Sequence, residues 1–248
     1  MTQDSTLTPS QPMPPAVAQA AASAQLGALQ RVYLPKRRNW ALIVFNILIG
    51  LLMAVFLIGL WLLWVIFRTP NLSRSQAARR VYLFEQGFIV ADRPDAPQVF
   101  RFDGVDTVFQ KIVSQRTYGV ETARQYLYTI TARDGRQVKL TQFWAGIAEL
   151  GPYVNNRVSS ALLPATLGAV QRGQAVQFGD ITINASGISG RRKSVTWQEV
   201  RQVRIANGYV SVDIAGKFFS LSTTAAANLP NLPLFLELTD RLRGNAAP

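Results

Sequence analysis

Carboxylates spaced to act together are the first place to look for chemistry in this chain. Asp103 with Asp106, and Asp92 with Asp95, each stand three residues apart. Two carboxylates held close can share a proton or begin a cation site. Both pairs flank turns, where Asp is favoured for local hydrogen bonds, and neither has a third ligand at metal spacing. The chain contains no His and no Cys. That removes the commonest general base and metal ligand, together with thiolate sites, cysteine nucleophiles and disulfides. A phosphate loop of the G-x-x-x-x-G-K type and a dinucleotide fingerprint are both missing. The expectation is a protein that is not an enzyme and needs neither metal nor cofactor.

Binding chemistry has one concentrated candidate. Arg191, Arg192 and Lys193 are consecutive and fall in a loop between strand-like runs. Read from the residues alone, such a cluster is a solvated turn held open by charge. The whole chain carries a net charge of +12 over 248 residues. Eight of its 26 basic residues precede position 81, against a single acid, Asp4. No dense basic stripe interleaved with aromatics follows, so no nucleic-acid partner is expected.

These residues must be positioned by elements of very different character. Trp40 to Phe67 reads WALIVFNILIGLLMAVFLIGLWLLWVIF, uncharged throughout. At a rise of ~1.5 Å per residue it would outreach a hydrocarbon layer of ~30 Å. A single transmembrane helix is therefore expected within an anchor region over 36–70, with Trp40, Trp61 and Trp64 at the interfaces. The flanking charge count ties at four on each side. The further basic charge beyond the anchor puts the C-terminal part in the cytoplasm, on a single-pass membrane protein. Residues 1–35 are rich in Pro, Gln, Ala, Ser and Thr and read as a disordered tail.

After Arg80 short apolar runs alternate with turn signals, the pattern of β-strands. QYLYTITA and RQVKL flank Asp134-Gly135, a hairpin turn. Ile147, Leu150, Val154, Val158 and Leu162 recur at threes and fours, marking a helix with Pro152 at a kink or at its start and an end near Pro164 or Gly168. A second β region starts at Ala175, with turns at Asn207-Gly208 and Gly216. The chain closes on a helix with Leu234, Phe235, Leu238 and Leu242 on one face.

The two β regions repeat one order. Gly87 matches Gly187, and VFRFDGVDTVFQ (99–110) lies over VTWQEVRQVRI (195–205). Trp197 alternates with Val195 and Glu199 on a strand, and core packing is its expected role. The stretch FGDITINASGISGRRKSVTWQEV resembles bacterial pleckstrin-homology-like (PH-like) domains, with Trp197, Glu199 and Val200 in that family's pattern. The chain is similar to an uncharacterised bacterial membrane family with tandem PH-like halves. The resemblance implies an α+β fold with two PH-like β-barrels, over 78–168 and 174–244, each closed by a C-terminal helix. It implies a fold more than an activity, and, by likeness to PH domains whose loop cations contact phosphates, that Arg191, Arg192 and Lys193, helped by Arg79 and Arg80, could touch an anionic lipid headgroup. The functional expectation is a membrane-anchored binding or scaffolding module whose partner is the lipid bilayer, a membrane protein that adds a strand to a sheet edge, or an anionic lipid.

Overall fold

The computed structural model describes residues 6–7, 13–36, 40–53, 61, 64, 78–92, 96–117, 120–191, 193–216 and 220–246. The chain divides into two compact units: residues 1–101 with 143–146, and residues 102–142 with 147–248.

The first unit is built on an antiparallel sheet of β1 (Thr6–Leu7), β2 (Leu29–Tyr33), β3 (Arg80–Phe84), β4 (Gly87–Ala91) and β5 (Pro97–Arg101), paired in that order. Helix α1 (Pro15–Ser23) starts behind prolines, which suit a first helical turn. It buries Val17 and Ala21 with Leu26 against Val32, Phe84 and Ile89. Residues 15–33 therefore correct the expected disordered tail: their small side chains let the helix lie close, and the Arg101 guanidinium donates to the Ala24 carbonyl at 2.6 Å. Gly87 has no room for a side chain, because a Cβ there would run into the Phe100 carbonyl oxygen. Residues 143–146 join this unit through the Lys36 N–H on the Phe143 carbonyl, the Ala145 N–H on the Leu34 carbonyl, and a Pro35–Trp144 bridge.

Helix α2 covers Trp40–Met53, 14 residues, or ~21 Å at the helical rise. Among the described residues no helix is long and apolar enough to cross a membrane. This overturns the single-pass anchor expected over Trp40–Phe67 and the membrane localisation drawn from it. Residues 54–60, 62–63 and 65–67, over which that anchor would continue, lie outside the described residues.

Among the described residues the second unit holds three open antiparallel sheets. One is β6 (Val105–Thr117), β7 (Val120–Ala132) and β8 (Gln137–Thr141). Another pairs β9 (Val176–Phe178), β10 (Ile181–Ile183), β11 (Gly187–Ser189) and β12 (Ser194–Thr196), and the third pairs β13 (Val200–Ala206), β14 (Tyr209–Ile214) and β15 (Ser222–Ala225). Closed barrels are thereby corrected to separate sheets. The physical break is a 3-10 turn, Trp197–Glu199, between β12 and β13, where a continuing strand was expected. Thr196 and Glu199 form a capping box that fixes it. Trp197 is buried, as expected of a core residue, and its indole N–H donates to the Asn184 carbonyl at 3.0 Å.

Helix α3 (Ile147–Gln171) runs through both Pro152 and Pro164, past the expected ends, and stops before Gly173 at φ +83°. Gly151 lets it meet the sheet, since a Cβ there would collide with the Tyr128 ring. Helix α4 (Leu232–Ala246) buries Leu234, Phe235, Leu238 and Leu242, the face read from their spacing. They pack with Phe178, Ile181, Ile188, Val210 and Val212 in one core.

Candidate binding surface

β13 owes its geometry to the Asn207-Gly208 turn. Both residues have positive φ, +51° and +78°, the requirement of a two-residue type I′ hairpin. The turn sets the register Ala206↔Tyr209, Arg204↔Ser211 and Gln202↔Asp213. In an antiparallel ladder these alternate residues exchange hydrogen bonds with β14, and the residues between them face the other way. Val203 and Ile205 therefore turn their backbone N–H and C=O outward. Among the described strands β13 pairs only with β14, so this is a sheet edge.

A bulge between Val200 and Gln202 pushes Arg201 out of register. Its carbonyl accepts from the Arg243 guanidinium of α4 at 2.9 Å. That bond helps to set the edge beside the helix, and a groove of about 380 Å³ runs between them, lined by Gln202, Val203, Leu236, Thr239, Asp240 and Arg243. Arg243 also pairs with Asp240 at 3.0 Å. On the other face of the sheet, Gln202 and Ser220 donate to the Asp213 carboxylate at 3.0 and 2.7 Å. These hydrogen bonds, the Gln202 one foremost, and the Arg204 charge hold that carboxyl below its usual range against the opposing effect of burial. Ile205, which shares a face with Val203, is 47% exposed toward the turn end.

The corresponding edge of β6 is occupied. Phe102–Gly104 forms a 3-10 turn like Trp197–Glu199, β6 follows it with a bulge between Val105 and Thr107, and Asp106 stands where Arg201 stands. Here Asn231 acts as a one-residue strand. Its backbone N–H donates to the Val108 carbonyl at 2.9 Å, its side-chain oxygen accepts from the Val108 N–H at 2.8 Å, and its amide donates to the Asp106 carbonyl at 2.8 Å. Asn231 is buried and sits at φ +50°, a conformation Asn tolerates better than most residues.

The basic residues singled out from the sequence are divided between the two units. Arg79 and Arg80 belong to the first unit: Arg79 pairs with Asp92 at 3.5 Å and lies over the Phe143 ring, while Arg80 donates to the Arg79 carbonyl. Arg191 and Lys193 share the β11–β12 loop of the second unit. Arg191 is paired with Asp180 at 2.7 Å, which offsets its charge, and Lys193 is exposed with its carbonyl accepting from the Gly190 N–H. Arg192 lies outside the described residues, as does Asp95. Among the described residues no group of three His, Cys, Asp or Glu is placed to hold a metal.

Sequence reading did not single out the groove or Asn231. The Asn-Gly pair marked β13 as one arm of a hairpin, but its lack of a second neighbour is a property of the fold. A family model described as "Family of unknown function (DUF6585)" matches residues 1–247. No curated protein and no solved structure matches the chain.

Proposed function

We propose that this chain, which belongs to the family of unknown function DUF6585, is a binding module without catalysis that takes an extended peptide strand along β13. The observation that carries the reading is the outward-facing edge at Val203 and Ile205 beside the α4 groove. Strand addition uses such an edge: main-chain hydrogen bonds supply affinity, and pockets for alternate side chains supply choice of sequence. Each added bond contributes about 1 kcal/mol net. A peptide residue directed at Leu236 and Val203 would bury apolar surface in the groove. Arg201 and Arg204 are exposed on the same strand and favour a peptide with acidic residues at its ends.

The second repeat runs through short antiparallel strands, a 3-10 turn, three further strands and a helix. That order supports kinship with PH-like modules in which the sheets stay open. The lack of His and Cys supports the non-catalytic part of the reading.

The test is titration of the full chain with a library of extended acidic-hydrophobic peptides, followed by calorimetry on those that bind. Val203→Pro removes one outward N–H and spares the bonds to β14. Binding is expected to weaken at least tenfold in this variant and in Arg243→Ala. Absence of any binding peptide, or equal affinity in both variants, would overturn the reading.

A further inference from the structure

The outward edge of β13 has two unlike ends. Toward the hairpin it is open: Ala206, Asn207, Gly208 and Tyr209 are all exposed, so a strand laid along Val203 and Ile205 has room to run on past the turn. Toward α4 it is closed. Beyond Val203 the bulge between Val200 and Gln202 breaks the ladder, as bulges do where pairing ends, and the Arg201 carbonyl is already held by the Arg243 guanidinium at 2.9 Å. Ladder bonds to an added strand therefore stop at Val203. Charge divides the ends in the same sense. From Ile205 to Val210 there is no charged residue, whereas Arg201 and Arg243 stand at the closed end. Arg243 pairs with Asp240 and Arg204 with Asp213, at 3.0 and 3.8 Å, but the exposed Arg201 makes no ion pair among the described residues.

We infer that this edge takes the C-terminal end of a peptide, with its α-carboxylate at Arg201; the inference rests on the strand-addition reading above. The peptide runs antiparallel to β13, as both neighbouring pairs of this sheet do. In such a pair the Val203 N–H donates to the carbonyl oxygen of the facing residue, and that oxygen lies on the Gln202 side. When the facing residue is the last of its chain, the oxygen belongs to a carboxylate. The bond from Val203 is then charge-assisted, and the second oxygen is left for the Arg201 guanidinium. A parallel strand would bring its N-terminal end to Arg201, where an ammonium meets like charge. Directly opposed residues share a face of the sheet. The last residue, opposite Val203 and beside Leu236 in the groove, is therefore apolar, as is the third from the end, opposite Ile205. The residue between them faces Arg204 and is acidic. The sequence favoured is apolar, acidic, apolar, followed at once by the carboxylate.

The test is calorimetric titration of the full chain with the peptide acetyl-Ser-Thr-Val-Glu-Val, once as the C-terminal acid and once as the C-terminal amide. The acid should bind at least tenfold more tightly, and the ratio should shrink as salt is raised. Arg201→Gln keeps the backbone carbonyl that meets Arg243, so the thermal melt should be unchanged while the ratio of acid to amide affinity falls below threefold. An amide that binds as tightly as the acid, or a ratio untouched by Arg201→Gln, overturns the inference and leaves strand addition standing. Absence of binding by both forms up to millimolar concentration also overturns it. The inference then fails alone where another peptide binds through an internal segment, and fails together with the strand reading where no peptide binds.

Discussion

β6 and β13 begin in the same way and end in different situations. Each leaves a 3-10 turn headed by a buried aromatic, Phe102 in one and Trp197 in the other, and each bulges at its second residue. On β6 the bulged carbonyl and the next outward residue are held by Asn231, through one backbone and two side-chain bonds. On β13 the bulged carbonyl has the Arg243 guanidinium, and Val203 beyond it turns toward the groove. The local sequence builds a sheet edge in both places. Whether that edge is consumed by the fold or left for a partner is decided by a residue more than a hundred positions away.

Removing the clasp should produce the largest effect. Asn231→Ala leaves the buried Val108 N–H and the Asp106 carbonyl without their side-chain partners, at a cost of ~1–3 kcal/mol for such groups. It also puts alanine at φ +50°, which adds ~1 kcal/mol. The expected loss is about 2–4 kcal/mol in urea unfolding. Asn231→Gly, which accepts positive φ, should recover the backbone part only. If Asn231→Ala costs less than about 0.5 kcal/mol, the clasp is not holding β6 and the contrast between the edges collapses.

A smaller effect belongs to the β13 side. Asp213 has its carboxyl depressed by hydrogen bonds from Gln202 and Ser220. A carboxyl with a lowered folded-state pKa contributes stability above its ordinary value near 4, and that stability is lost as pH falls through the folded value. Asp213→Asn should therefore cost under about 1 kcal/mol at neutral pH and flatten the fall in stability below pH 4. An unchanged acid limb in thermal melts would show that this network does not brace β13.

How much was legible in advance followed from how local each signal was. The Asn207-Gly208 and Asp134-Gly135 turns and the apolar face of α4 depend on residues a few positions apart, and the matching of Gly87 with Gly187 compares two such local patterns. Both glycines indeed sit where a Cβ would strike a facing backbone carbonyl, of Phe100 and of Val195. Trp197 was placed correctly in the core but on a strand, because alternation with Val195 and Glu199 looks the same until the capping box of Thr196 with Glu199 is seen to close a turn. Residues 15–33 looked like a tail because alanine-rich composition does not reveal that small side chains are what a helix needs to lie against a sheet. The apolar run from Trp40 reads as one span, whereas among the described residues no helix is long and apolar enough to cross a membrane. For the candidate site, the basic loop was visible as a charge run, but its pairing with Asp180 and the groove beside α4 depend on contacts between distant segments.

Amide hydrogen exchange on the full chain tests the central claim most directly, because it reads both edges in one experiment. The Val108 amide, bonded to Asn231, should be protected to near the global stability, while the Val203 and Ile205 amides should exchange at least a hundredfold faster and become protected when a peptide binds. Val203 protected as strongly as Val108 in the free protein would mean that the β13 edge is already filled, and would contradict the account.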